Sequence, residues 1–122
     1  MAVLLVFLGG MLGAPLRYLT DRAVQKRHDS VFPWGTFTVN VVGSFVLGVI
    51  ACGVARQGWP TNAALFVGTG ICGGLTTFST FGYETVRLMN TGALRIAAYN
   101  VLGSLAAGLA AASAGWALVS AL

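Results

Sequence analysis

One stretch of the chain, residues 70–81, reads Gly70-Ile71-Cys72-Gly73-Gly74-Leu75-Thr76-Thr77-Phe78-Ser79-Thr80-Phe81 and says more about the architecture than any other segment. It lies in a long uncharged run, yet glycine, threonine and serine all disfavour a helix relative to alanine or leucine. Irregular backbone at membrane depth must be buried in protein or line a cavity, because lipid offers it no hydrogen-bond partner. Transport proteins build ion sites from such broken helices. The stretch therefore predicts an ion or substrate site inside a membrane.

Composition extends this prediction to the whole chain. Of its 122 residues 57% are hydrophobic and 8% are charged, whereas soluble domains carry about 25% charged residues. A spanning helix needs about 20 apolar residues, and four segments lack Asp, Glu, Lys and Arg: 1–16, 30–55, 57–83 and 96–122. We predict an all-α protein that forms a single membrane domain over residues 1–122. Its four transmembrane helices are expected at about 2–22, 36–56, 62–91, with a break near 73–77, and 95–119.

Charge and cysteine content argue against several protein classes. The net charge of +4 comes from basic residues that flank apolar segments, which is their usual place in membrane proteins and not a nucleic-acid surface. Cys52 and Cys72 lie within predicted spans and are expected to be buried small residues without a disulfide. No nucleophile–base pair or metal cluster is apparent, and the lone histidine, His28, has no obvious partner, so we do not expect an enzyme.

Polar and small residues recur at every fourth position on two predicted helices, and residues four apart share one helix face. They are Thr36, Asn40, Ser44 and Gly48 on the second helix, and Asn100, Ser104, Gly108 and Ala112 on the fourth. The Asn40 amide needs partners in hydrocarbon, so we interpret its stripe as part of a polar pathway. After the break, Phe78 and Phe81 project from one face of the helix.

Four helices enclose too little volume to surround a pathway, so the pathway is expected at or beside a subunit interface. The first helix carries Gly9 and Gly13, a small-residue spacing that lets another helix approach closely in lipid. That partner helix is either in a second subunit or in the same one.

Three motifs follow one another along the chain. They read Gly9-Gly10-x-x-Gly13-Ala14-x-x-Arg17-Tyr18, then Gly35-Thr36-x-x-Val39-Asn40-x-x-Gly43-Ser44-Phe45-x-x-Gly48, then Gly73-Gly74-Leu75-Thr76-Thr77-Phe78-Ser79-Thr80-Phe81. With these motifs in this order, the chain resembles the Fluc (CrcB) family of bacterial fluoride channels over nearly its whole length.

The resemblance implies a fluoride-specific channel in the bacterial inner membrane that passively exports cytoplasmic fluoride. It implies a dual-topology dimer of antiparallel subunits with two fluoride pathways, in which Asn40 donates hydrogen bonds to fluoride and Phe78 and Phe81 line the route. It also implies a structural Na⁺ that is not transported, held by the backbone carbonyls of Gly73 and Thr76 from both subunits. Further pathway candidates are Thr36, Ser44, Ser79, Thr80, Asn100 and Ser104. Family members often place a Tyr where this chain has Asn100, so Asn100 either substitutes as a donor or alters the pathway.

The chemistry of these residues suits the implied roles. Amide and hydroxyl groups can replace the water around fluoride, and ring edges carry partial positive charge. A neutral lining also permits release, which conduction requires. Carbonyl oxygens at a helix break suit a hard cation.

The basic residues are not balanced across the membrane. Five flank the loops on one side and one flanks the loop on the other: Arg22, Lys26, Arg27, Arg87 and Arg95 against Arg56. The positive-inside rule then predicts both termini outside. A dual-topology homodimer should be nearly balanced, so we hypothesise a fixed orientation with an oppositely oriented paralogue as partner; a homodimer stays open.

Two alternative functions remain to be weighed. A small multidrug-type antiparallel transporter needs a membrane carboxylate, and the first helix has none before Asp21 at its end. A non-transporting membrane scaffold explains the packing faces but not the Asn40 stripe together with the broken helix.

Overall fold

The computed structural model describes all 122 residues, and every regular element in it is helical. Helix α1 covers Ala2–Arg27 and α2 covers Trp34–Arg56. The third span is divided into α3, residues 61–75, and α4, Phe78–Asn90, and the chain ends with α5, Leu94–Ser120. With Thr61–Asn90 taken as one span, the structure has four helices long and apolar enough to cross a membrane.

The third span bends at two threonines. Thr76 has φ −80° and ψ 156°, and Thr77 has φ −147° and ψ 124°, so both residues are extended. The glycines that precede them stay helical through Leu75, and the break is therefore shorter than the predicted 73–77. Thr77 also starts α4, because its hydroxyl accepts a hydrogen bond from the Thr80 amide at 3.2 Å, as an N-cap does.

Helix α3 contains a π-helical stretch, Ala64–Cys72, which packs against α1. A Cβ placed on Gly9 would lie 2.7 Å from the Gly70 Cα, and one on Gly13 would collide with the Ile71 carbonyl oxygen. The small-residue face of α1 thus serves packing within the subunit at these two positions. Nothing in the sequence predicted the π-helix.

Helices α2 and α5 form the other close pair. Gly48 of α2 meets the backbone of Ala112, and Gly115 of α5 meets the backbone of Phe45. Both helix pairs therefore contact through glycine, as close contacts between membrane helices often do. The large apolar side chains point outward instead, and Phe7 and Leu109 remain 63% and 70% exposed in the single chain. This outer surface suits contact with lipid.

Candidate functional site: a neutral groove at the helix break

An open groove of about 260 Å³ lies between α2, α4, α5 and the break in the third span. Its lining contains amide, hydroxyl, phenyl and aliphatic groups and no ionisable side chain. The lining residues are Asn40, Ser44, Leu47, Thr76, Thr77, Phe78, Phe81, Ser104 and Leu105. Five of the residues predicted for the pathway therefore line the same groove: Asn40, Ser44, Phe78, Phe81 and Ser104.

The Asn40 side chain holds the break together. Its Nδ2 donates to the Thr77 carbonyl at 3.0 Å, and its Oδ1 accepts from the Thr77 amide at 2.8 Å. Thr77 is 8% exposed, so without Asn40 both of its backbone groups would be buried and unpaired. One amide carries two N–H donors, and the contact with Thr77 uses one. The second N–H has no hydrogen-bond partner in the chain.

Four carbonyls at the end of α3 and in the break, those of residues 73–76, accept no hydrogen bond from the chain. They form the C-terminal end of α3 and its extension, where the helix dipole is negative. The Gly73 side of the backbone is open, since a Cβ there would meet nothing within 4 Å. Carbonyl oxygens are ligands that suit a hard cation such as Na⁺. The carbonyls of Gly73 and Thr76 are among these four.

Phe78 and Phe81 contact one another at the start of α4. Their ring centroids are 5.9 Å apart and their planes are tilted by 40°. Phe78 is 84% exposed in the single chain, so it contributes little to the packing of that chain. Both rings border the groove that contains Asn40.

The groove hydroxyls differ in how firmly their hydrogens are bound. Ser44 donates to the Asn40 carbonyl at 2.7 Å and Thr76 donates to the Cys72 carbonyl at 2.8 Å. Ser104 donates to the Asn100 side-chain oxygen at 3.4 Å, which is a long hydrogen bond. Ser104 and the second N–H of Asn40 are therefore the donors that an ion in the groove can recruit most easily.

Asn100 lies behind the groove and is 1% exposed. Its Nδ2 donates to the Thr85 hydroxyl at 2.8 Å, and its oxygen faces Ser104. It therefore supports the wall and does not line it. Sequence reasoning missed Thr85, although its position four residues after Phe81 puts it on the same helix face.

The remaining candidates lie along α2 and α4. Thr36 is 3% exposed and donates to the Glu84 carboxylate at 2.5 Å, a partner that was not predicted. Thr36 and Thr80 line a second cavity of about 220 Å³ together with Arg17, Tyr18 and Asp21. That cavity meets the groove at Thr77, which lines both.

Ser79 is exposed and lines neither cavity. Its hydroxyl lies 3.3 Å from that of Thr77. The structure therefore places Ser79 beside the break, outside the cluster that contains Asn40.

Comparison with known proteins shows the family to which the chain belongs. The family model described as CrcB-like protein, Camphor Resistance (CrcB), matches residues 4–116. A protein of Streptomyces avermitilis named Fluoride-specific ion channel FluC 1 is 59% identical over 113 residues, which cover 92% of this chain and 90% of that protein. The protein of the same name from Frankia casuarinae is 56% identical over 125 residues, covering 98% and 96%. The chain therefore belongs to the CrcB-like protein family.

Proposed function

We propose that this protein is a fluoride-specific ion channel that lets cytoplasmic fluoride leave the cell passively. The relatives that carry this name match nearly the whole chain, and the match covers at least 90% of each of them. The four apolar spans agree with a multi-pass protein of the bacterial inner membrane. The relatives are named as channels and not as enzymes, and nothing in the comparisons supports the multidrug transporter or the scaffold.

The neutral groove is the observation that carries this proposal. Fluoride is small and strongly hydrated, so a pathway must offer hydrogen-bond donors in place of water. The Asn40 amide and the Ser104 hydroxyl offer them, and the ring edges of Phe78 and Phe81 add partial positive charge. No carboxylate borders the groove to repel the ion, and no guanidinium holds it too tightly for release.

A second subunit in the antiparallel orientation would complete the groove. In the single chain the groove is open on one side, and Phe78 is 84% exposed. A polar groove open to lipid would leave donors without partners. Two subunits would give two pathways, one beside each break.

A structural Na⁺ would bind where the two breaks meet. Carbonyls of Gly73 and Thr76 from both subunits would hold it, and its charge would offset the negative helix ends that face each other there. The free carbonyls support this assignment. When bound, the ion would supply charge compensation at the interface and would not be transported.

The other polar candidates would extend the pathway away from the groove. Thr80 and Thr36 line the adjoining cavity, which Arg17 and Asp21 also border, so an ion that passes Thr77 would meet charged side chains there. Thr36 would have to give up its hydrogen bond to Glu84 before it could donate to that ion. Ser79 lies close to the Thr77 hydroxyl at this point. Ser44 lies on the groove wall, and Asn100 acts through Ser104 from behind it.

The partner in the dimer is proposed to be an oppositely oriented paralogue, because basic residues flank one side of the membrane five to one. A cysteine added at the C-terminus tests the orientation in cells, since Cys52 and Cys72 are buried and should not react. A fixed orientation predicts labelling by an impermeant reagent from the outside only. Equal labelling from both sides would contradict it and favour a homodimer.

Fluoride efflux from liposomes tests the proposed function. The purified protein is reconstituted alone and with a candidate paralogue, and fluoride and chloride release are recorded with ion-selective electrodes. We expect fluoride release in at least one combination and no chloride release in any. Absence of fluoride release in every combination would refute the channel proposal.

A further inference from the structure

A one-way chain of hydrogen bonds runs from the groove into the protein between α5 and α4. Ser104 donates to the Asn100 oxygen at 3.4 Å, Asn100 donates to the Thr85 hydroxyl at 2.8 Å, and Thr85 donates to the Phe81 carbonyl at 2.8 Å. None of these bonds involves a charged group. Thr85 and Asn100 do not line the groove, whereas Ser104 and Phe81 do.

The direction of this chain is fixed by donor counting. A hydroxyl has a single hydrogen, and Thr85 uses it on the Phe81 carbonyl, so Thr85 can only accept from Asn100. The Asn100 amide must therefore turn its N–H group toward Thr85 and its oxygen toward Ser104. Ser104 in turn must supply its hydrogen to that oxygen. With the groove empty, Ser104 presents lone pairs to the groove, which repel an anion.

An anion at Ser104 therefore competes with Asn100 for one hydrogen. The Ser104–Asn100 bond is long at 3.4 Å, so the hydroxyl can rotate toward the ion at small cost. Rotation leaves the Asn100 oxygen buried without a donor, because Asn100 is 1% exposed. The unpaired Asn100 oxygen therefore favours return of the Ser104 hydrogen, which weakens the binding of the ion.

We propose that Asn100 and Thr85 are positioning residues that make Ser104 a two-position donor, toward Asn100 when the groove is empty and toward fluoride when it is occupied. This inference rests on the proposed fluoride channel. Thr85 keeps the Asn100 amide in the orientation that reclaims the hydrogen. The pair thereby favours release of fluoride over tight binding.

Thr85→Val tests the proposal, because it removes the acceptor for Asn100 without touching the groove. The amide is then free to turn its N–H group toward Ser104, and the Ser104 hydrogen stays in the groove. Fluoride efflux is measured against fluoride concentration. We expect the half-saturating concentration to fall roughly fivefold, the factor that one hydrogen bond of typical net strength is worth, together with a lower maximal rate.

Two variants separate this effect from general damage. Thr85→Ser keeps the hydroxyl and should restore both kinetic parameters. Thr91→Val is the control at the C-cap of the same helix, because Thr91 also donates to the carbonyl four residues before it but has no Asn partner. It should leave both parameters unchanged. If Thr85→Val matches the wild type, or Thr85→Ser behaves like Thr85→Val, the proposal is overturned.

A binding measurement covers the case in which Thr85→Val does not fold. In the wild-type protein in detergent, the side-chain amide of Asn100 is followed by ¹⁵N–¹H NMR during titration with NaF and with NaCl. We expect a shift with NaF only, and its loss in Ser104→Ala. No shift with NaF in a protein that conducts fluoride would overturn the inference alone, whereas a wild type that conducts no fluoride would overturn the proposed function as well.

Discussion

Replacing Asn40 with leucine removes the side chain that pairs both backbone groups of Thr77. Both bonds have ordinary hydrogen-bond lengths, 2.8 Å to the amide and 3.0 Å to the carbonyl, and Thr77 is buried. If each bond is worth the ~0.6 kcal/mol typical between membrane helices, the loss is about 1 kcal/mol. If each group bears the full cost of burial without a partner, ~1–3 kcal/mol, the loss is about 2–6 kcal/mol.

Equilibrium unfolding by SDS in mixed micelles measures this loss, and fluoride efflux from liposomes is measured on the same preparations. We expect Asn40→Leu to be destabilised by about 1–6 kcal/mol, the span of the two estimates. It should also lose fluoride efflux, because the side chain that pairs the Thr77 backbone is also the hydrogen-bond donor in the groove. Asn40→Asp keeps an oxygen for the Thr77 amide but no donor for its carbonyl. Its stability should lie between those of the wild type and Asn40→Leu, and its charge should block efflux.

Thr38→Val is the matched control on α2. Thr38 donates to the Trp34 carbonyl, a bond within its own helix, so its loss should change stability by less than ~0.5 kcal/mol. The reasoning about the break would be refuted if Asn40→Leu were as stable as this control. Lost efflux with unchanged stability would leave Asn40 a role as a donor only.

Three further perturbations test separate parts of the account. Phe78→Ile should abolish fluoride efflux without changing the elution volume of the purified protein, because the ring is exposed in the single chain; retained efflux would remove it from the pathway. Gly13→Ala places a methyl group against the Ile71 carbonyl and should cost about 1–3 kcal/mol in SDS unfolding, whereas Gly10→Ala meets nothing within 4 Å and should cost nothing. Equal stability of the two glycine variants would contradict the contact between α1 and α3. Replacing Na⁺ by a larger cation during purification and assay should lower fluoride efflux, and equal rates in both cations would argue against the structural Na⁺.

The helical spans and the existence of a break follow from composition, because lipid excludes charge and unpaired backbone. The span limits were less predictable. Helix α1 continues to Arg27 beyond the predicted end at residue 22, since the Ala-Val-Gln-Lys-Arg segment that follows favours a helix and the basic residues suit its last turn. The position of the break also differs, because Gly73 and Gly74 stay helical and the β-branched Thr76 and Thr77 are the extended residues.

The contacts that complete the candidate site could not be predicted from local pattern. Asn40 and Thr77 are 37 residues apart, and no periodicity indicates that one side chain pairs both backbone groups of the other. The π-helix packs closely against α1, and no local pattern in its sequence indicates it. The stripe on α5 predicted that Asn100 and Ser104 share a face, but only the packing of α5 against α4 shows that Asn100 turns away from the groove toward Thr85.

The reversal potential of the reconstituted protein in a planar bilayer tests the central claim most directly, because it reports passive movement and ion selectivity together. Under opposed gradients of fluoride and chloride, a passive fluoride-selective channel reverses at the equilibrium potential of fluoride and ignores the chloride gradient. A current that follows chloride, or one that requires a proton gradient, would contradict the account.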